Sequence, residues 1–255
     1  MKPLYRLCAN LRGFAPIASF FPGVAKKRLL ALPFWRPKEL GRGRWYNPDR
    51  KARCATPDWI LDQPYMAARL WQINLIVSLA LFSWLAMQAV HEFGHVAGAW
   101  LTGGTVEKLV LYPTVISRTD WKDSRHPLAV VWAGPIFGSA LPVALWGIAA
   151  AFRLTATYLA RFFAGFCLIA NGAYIGAGSF YRVGDAGELL RHGASSWQLW
   201  VFGAVAVAAG LLLWNRLGPH FGFGAVHGQV SRQASLGSLA AFVIIVGVEL
   251  FVGSR

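Results

Sequence analysis

The chain has 255 residues, of which 56% are hydrophobic and only 14% are charged, and its formal net charge is +14. Its mean hydropathy of +0.44 is too high, and its charged fraction too low, for an ordinary soluble domain. The three cysteines, Cys8, Cys54 and Cys167, are far apart in the sequence. This spacing argues against a disulfide framework and against a cysteine-based metal site.

The first 64 residues form a basic region that is rich in proline and glycine. Fourteen of the 25 Lys and Arg residues of the chain lie before residue 70, together with four acidic residues. A basic run can bind nucleic acid, but contact with anionic lipid headgroups is the simpler interpretation, and we expect no nucleic-acid partner. Prolines interrupt the apolar part and the basic cluster follows it, which argues against a signal peptide. We predict that residues 1–64 form an arm that is interfacial or partly disordered.

Long apolar runs follow the arm. Charged residues are absent from three of them, which cover 70–91, 128–152 and 162–181. Each is long enough to cross a hydrocarbon core, which takes about 20 residues. Two weaker runs lie near 197–214 and 239–252. We therefore predict an all-α multi-pass membrane protein with about five membrane helices.

The boundaries of the elements follow from glycine, proline and β-branched residues. The first span should end at the glycine stop Thr102-Gly103-Gly104, and the β-branched segment 105–117, broken at Pro113, should form a short strand or hairpin. The first three spans are predicted at 70–101, 127–152 and 156–181. We expect a core domain over 65–192, two further helices over 193–255, and a location in the bacterial inner membrane.

The sequence His91-Glu92-Phe93-Gly94-His95 lies near the end of the first span. Residues four apart project from nearly one face of an α-helix, so the imidazoles of His91 and His95 can share one zinc ion. Glu92 can reach a water molecule that the zinc polarises without binding the metal, which is the logic of the HExxH metalloproteases. Ionisable residues inside a membrane are costly and usually functional. The alternative is that these residues snorkel or form hydrogen bonds between helices.

A zinc site of this kind needs a third protein ligand and an open fourth position. Asp185 is the first choice, because the third span returns the chain to the membrane side of the two histidines and small residues flank it. Glu188 is the alternative ligand, although a capping or salt-bridge role suits it better. The remaining candidates fit a solvated loop (His126, Asp120, Asp123), the opposite membrane side (His220, His227) or a snorkelling side chain (Glu249).

Three motifs together resemble the site-2 protease family of intramembrane zinc metalloproteases. They are HEFGH inside a membrane helix, AGPIFG in the next helix, and Asp-x-Gly near the end of the third, and the resemblance covers roughly residues 70–192. It implies a three-helix core that binds one zinc ion through His91, His95 and Asp185, with Glu92 as the general base. It also implies that Asn171 lies near the substrate, which would be a membrane-anchored protein.

The chain departs from the family pattern at two motifs, and its spacing from Asn171 to Asp185 is longer than the usual form. Gly138 stands where the family commonly has asparagine, and Asp185-Ala186-Gly187 stands where Asp-Gly-Gly with preceding prolines is common. A continuous helix would place Asn171 and Asp185, which are 14 residues apart, within about 40° of one face. We expect no PDZ or CBS-like module.

The predicted function is that of a zinc metalloendopeptidase acting on membrane-anchored proteins. The strand in 105–117 could hold an unwound substrate by edge pairing, or it could be an ordinary connecting hairpin. An inactive relative that binds membrane segments and a metal-transport protein are the alternatives. The intact Glu92 argues against the first, and the scarcity of polar residues in spans two, four and five argues against the second. The Lys and Arg counts do not decide which membrane side the zinc faces.

Overall fold

A computed structural model describes residues 63–226 and 228–253 of the chain. In chain order, its elements are α1 (Gln63–Leu101), β1 (Thr105–Val110), β2 (Arg118–Lys122), α2 (Pro127–Ala151), α3 (Thr157–Tyr181), α4 (Gly184–Arg191), α5 (Ser196–Trp214) and α6 (Arg232–Gly253). Two short 3₁₀ turns, Gly218–Phe221 and Gly224–Val226, connect α5 to α6. The interpretation of 1–64 as an interfacial arm lies almost entirely outside the described residues, as does His227.

Five of the described helices are long and apolar enough to cross a membrane: α1, α2, α3, α5 and α6. The predicted all-α multi-pass fold with a strand pair after the first span is therefore confirmed. The observed limits of α2 and α3 agree with the predicted ones to within a residue. Helix α6 begins at Arg232 rather than near Leu239, because the polar first turns before its apolar run are also helical.

The predicted hairpin is present and is longer than the segment 105–117. Strands β1 and β2 pair antiparallel, with Val110 opposite Arg118 and Thr105 opposite Lys122. Pro113 lies in the connecting loop, where its missing backbone N–H removes no hydrogen bond between the strands. Asp120 lies on β2 opposite Lys108, so the interpretation of Asp120 as a loop residue was wrong. The pairing of β2 with β1 puts Asp120 on a strand, and no local periodicity in the sequence indicates that pairing.

Two glycines bring α2 close to α1. A Cβ atom at Gly94 would lie 2.5 Å from the carbonyl oxygen of Ala133, and one at Gly98 would lie 2.7 Å from the Ala133 Cβ. The two glycines are one helical turn apart, so they form a small-xxx-small pair of the kind that allows close contact between membrane helices. This contact matters for the site, because His91 and His95 lie on the same stretch of α1.

The short helix α4 is fixed by a small apolar cluster. Ile175 of α3, Leu189 of α4 and Leu199 of α5 are completely buried and belong to one cluster. Helix α4 is thereby held against α3 and α5 at the membrane side where α1 ends. The division of the described chain into a core over 65–192 and two further helices stays a prediction.

Candidate metal centre

Two histidines and one aspartate converge in the interior of the described chain. The Nε2 atoms of His91 and His95 are 3.1 Å apart, and they lie 2.7 Å and 3.2 Å from the Oδ2 atom of Asp185. Both histidines are buried, and the Asp185 side chain is 20% exposed. The ligand set proposed from the sequence is therefore one group in space, and its atoms could hold a single metal ion.

The Nδ1 atoms of both imidazoles already form hydrogen bonds. His91 Nδ1 donates to Asn171 Oδ1 over 2.6 Å, and His95 Nδ1 donates to the carbonyl oxygen of Val130 over 3.0 Å. An imidazole that carries its proton on Nδ1 presents a lone pair at Nε2. Two such lone pairs and a carboxylate oxygen repel one another at these distances unless a cation lies among them. A proton on one imidazole or a metal ion meets this requirement.

The donor distances also fit zinc. Ligands bonded at about 2.0–2.1 Å in tetrahedral geometry lie about 3.3 Å from one another. The three observed separations run from 2.7 to 3.2 Å, so small outward movements of the side chains would admit the ion. Fixed Nδ1–H partners such as Asn171 and Val130 are the usual way in which ligating histidines are oriented.

Asp185 reaches the histidines by a route that the sequence did not predict. Helix α3 ends at Tyr181, and Arg182 takes a left-handed conformation with a φ of 54°. The third span therefore ends before Asp185, as predicted, and Asn171 and Asp185 do not share one continuous helix. The chain reverses and restarts as α4, with Asp185 in its first turn.

Small residues make this reversal possible. Gly184 has a φ of +54°, and a Cβ there would overlap the hydroxyl of Tyr174. That hydroxyl accepts a hydrogen bond from the Asp185 backbone N–H at 3.2 Å. A Cβ at Gly187 would overlap the carbonyl of Arg182, so the glycine of the Asp-x-Gly motif allows α4 to begin directly beside the end of α3.

The carboxyl group of Asp185 is held in its ionised form. Burial by itself would raise its pKa, but the neighbouring imidazoles of His91 and His95 outweigh burial and hold that pKa well below its usual range. A carboxylate is the form that binds a metal ion.

The AGPIFG motif of α2 supplies space for the side chains of this donor group and for Asn171. A Cβ at Gly134 would overlap the ring of His95 and would lie 2.9 Å from His91 Nε2. A Cβ at Gly138 would lie 2.9 Å from both terminal amide atoms of Asn171. In the structure these glycines make room for the two histidines and for the asparagine that holds one of them.

Asn171 is buried at 1% exposure, and both ends of its amide have partners. Its Oδ1 accepts from His91, and its Nδ2 donates to the Cys167 carbonyl at 2.9 Å. The position thus supports an orienting role toward His91. The substrate contact that the family resemblance implies stays a prediction.

Glu92 lies beside the donor group without belonging to it. Its side chain is 6% exposed, and its Oε2 accepts a hydrogen bond of 2.7 Å from the Thr119 hydroxyl of β2. It also borders a cleft of about 910 Å³ that contains the two histidines and Asp185. Trp84, Met87, Ile116, Trp121 and Tyr174 give this cleft apolar and aromatic walls.

The other sequence candidates lie outside the donor group. Glu188 borders the cleft but forms an ion pair with Arg191, in agreement with its expected salt-bridge role. His126 is exposed at the start of α2, and Asp123 lies in the loop after β2. His220 stacks on Tyr158 with ring centroids 4.7 Å apart.

The snorkelling expected of Glu249 is wrong. It is 1% exposed, on the face of α6 that carries Ser235, and Ser235 accepts a hydrogen bond from Asn74 of α1. Four residues of α6 follow Glu249, yet its carboxylate does not reach the surface, because its helix face is turned toward α1.

Sequence reasoning missed three groups at this site: Thr119, Tyr174 and the Val130 carbonyl. Thr119 and Val130 lie 27 and 35 residues from their partners on α1. Tyr174 lies one turn after Asn171, which is the one local signal that could have revealed it.

Buried histidines and an aspartate within a bundle of helices long enough to cross a membrane define a multi-pass membrane protein with a donor group that could hold a metal ion. Residues 65–178 match the family model described as Peptidase M50B-like, which confirms the predicted resemblance to the site-2 protease family. The match includes both histidines, Glu92 and Asn171 and ends before Asp185. No curated protein and no solved structure matches the chain. The family supports a membrane metalloprotease type of function.

Proposed function

We propose that the chain is a membrane-embedded zinc metalloprotease that hydrolyses peptide bonds of membrane-anchored proteins. The observation that carries this proposal is the convergence of His91, His95 and Asp185 beside a buried glutamate in an open cleft. A buried site that gathers three lone-pair donors and leaves room for a reactant is what a catalytic zinc centre requires. We retain the bacterial inner membrane as the proposed location.

The residues of the chain take distinct roles in this reaction. The zinc ion, when bound, supplies a Lewis acid that lowers the pKa of water toward 7. Glu92 accepts a proton from the attacking water, whose oxygen bonds to the carbonyl carbon of the peptide. The C–N bond then breaks, and Glu92 returns the proton to the leaving nitrogen. Asn171 and the Val130 carbonyl hold the imidazoles in the orientation that the metal needs.

The hairpin gives the cleft a wall of extended backbone. Every residue from Ile116 to Trp121 lines it. A substrate helix in a bilayer keeps its amides in internal hydrogen bonds, so it must unwind before a bond can be cut. We propose that the unwound segment lies extended beside β2 and pairs with its backbone.

The function can be tested before any individual substrate is identified. Membranes from cells that express the wild-type chain or the Glu92→Gln variant would be compared by mass spectrometry of newly formed protein termini. We expect new termini near the spans of single-span membrane proteins with the wild type alone. Zinc content of both purified proteins should be one ion per chain. Equal termini in the two samples would refute the protease, and equal zinc with no termini in either would point to an inactive relative.

A further inference from the structure

Two hydrogen bonds tie the second strand of the hairpin to the helix that carries the histidines. The backbone N–H of Ser117 donates to Gln88 Oε1 at 3.1 Å, and the hydroxyl of Thr119 donates to Glu92 Oε2 at 2.7 Å. Gln88 and Glu92 are both buried, at 8% and 6% exposure. Neither bond is between neighbours in the sequence, so both depend on how the hairpin docks on α1.

The spacing of these two ties matches in the helix and in the strand. Gln88 and Glu92 are four residues apart on α1, which is about 6 Å of helical rise. Ser117, just before β2, and Thr119 are two residues apart, which is about 6.7 Å of extended chain. The strand therefore lies in register along one turn of the helix. A shift of the hairpin by one residue would turn the Thr119 hydroxyl away from Glu92.

Thr119 restricts the carboxylate that we assign as the general base. An ionised carboxylate has two oxygens that can accept, and Thr119 occupies Oε2. The other oxygen, Oε1, is thereby left for the proton that the reaction moves. Threonine is stiff about its Cα–Cβ bond, so its hydroxyl holds a fixed direction as long as β2 stays in place.

We propose that Thr119 is a positioning residue for Glu92, and that docking of the hairpin on α1 assembles the general base. This inference rests on the proposed protease function. The base of the hairpin is also tied to the end of α1, because the Thr102 and Ser124 hydroxyls are 2.8 Å apart. Displacement of β2 by a partner or a badly fitting segment would free the Glu92 side chain and switch off hydrolysis while the metal ligands stay in place.

The test compares Thr119→Val, which removes the hydroxyl but keeps the shape, with Thr119→Ser, which keeps the hydroxyl. Thr105→Val is the matched control, because Thr105 lies on β1, is exposed, and forms no side-chain hydrogen bond among the described residues. Each full-length protein would be purified in detergent and checked for zinc content. Turnover would be measured on fluorescein-labelled casein, an unstructured protein that needs no unwinding.

We expect Thr119→Val to lower kcat by about 10-fold or more with KM and zinc content unchanged, because a misdirected catalytic group loses rate rather than binding. Thr119→Ser should restore most of the rate, and Thr105→Val should match the wild type. A kcat for Thr119→Val within twofold of the wild type would overturn the inference.

A second measurement does not depend on turnover. The thermal midpoint of unfolding would be measured for Thr119→Val and Glu92→Ala, singly and together. Thr119→Val should lower the midpoint in the wild-type background and lower it less in the Glu92→Ala background, where only the 3.4 Å contact of the hydroxyl with the carbonyl oxygen of residue 92 stays. Equal shifts in the two backgrounds would show that no such hydrogen bond forms. If the wild type cuts nothing, the protease proposal fails, and this cycle still decides whether the hairpin holds Glu92.

Discussion

The replacement Gly134→Ala should abolish tight metal binding while leaving the helices intact. The added Cβ would lie 2.9 Å from His91 Nε2, about 0.5 Å inside ordinary contact at 3.4 Å, and would overlap the His95 ring more severely. His95 has little freedom to withdraw, because its Nδ1 is bonded to the Val130 carbonyl on the same helix as Gly134. Metal–nitrogen distances tolerate changes of only about 0.2 Å. We expect zinc affinity to fall by about 100-fold or more, which is about 2.7 kcal/mol.

The assay is a competition between the purified protein and a series of zinc chelators of graded affinity. Gly147→Ala is the matched control, because Gly147 lies on the same helix and a Cβ there meets no atom within 4 Å. Circular dichroism of both variants should show wild-type helix content. If Gly134→Ala bound zinc as tightly as Gly147→Ala, the two histidines could not be placed as described, and the reasoning would fail.

Three further results are expected. Glu92→Gln should keep full zinc content and lose about 10²–10⁴-fold in cleavage rate, because it removes the base and no ligand; loss of zinc would show instead that Glu92 is a ligand. Asn171→Leu should weaken zinc binding by about 10–100-fold, measured by the same competition, because His91 loses the acceptor that orients it; unchanged affinity would contradict this role. Leu189→Ala should lower unfolding stability by about 2–5 kcal/mol, read from thermal unfolding, because it leaves a cavity under α4. Added zinc should recover part of that loss, and an unshifted midpoint would show that α4 is not held by this cluster.

The proposed metal ligands could be predicted from the sequence because the information is local or follows from the count of membrane crossings. His91 and His95 share a face through the helical period alone. Asp185 could be placed on the membrane side of the two histidines from the number of spans, although the chain reversal that leads to it could not. The reversal depends on Arg182 in a left-handed conformation, which arginine rarely adopts and which no sequence rule predicts.

The contacts that hold the site could not be predicted in the same way. The bond from Thr119 to Glu92 depends on the register of the hairpin, and that register contains an irregularity between Val106 and Lys108. A one-residue difference there would present other side chains to the helix. The clash of a side chain at Gly134 with the histidines is equally a property of how α1 and α2 pack. These contacts between distant segments can be identified only from a three-dimensional structure.

The depth of the site along α1 limits the routes by which water and peptide fragments could reach and leave it. His95 and His91 lie six and ten residues before the end of α1 at Leu101, which is about 9 and 15 Å along the helix axis. The hairpin, the end of α1 and the start of α4 all lie toward that end. In the proposed reaction, one compartment therefore delivers the water for each cut and takes up the hydrophilic fragment released. The solutes, ionic strength and metal supply of that single compartment would set the conditions for hydrolysis.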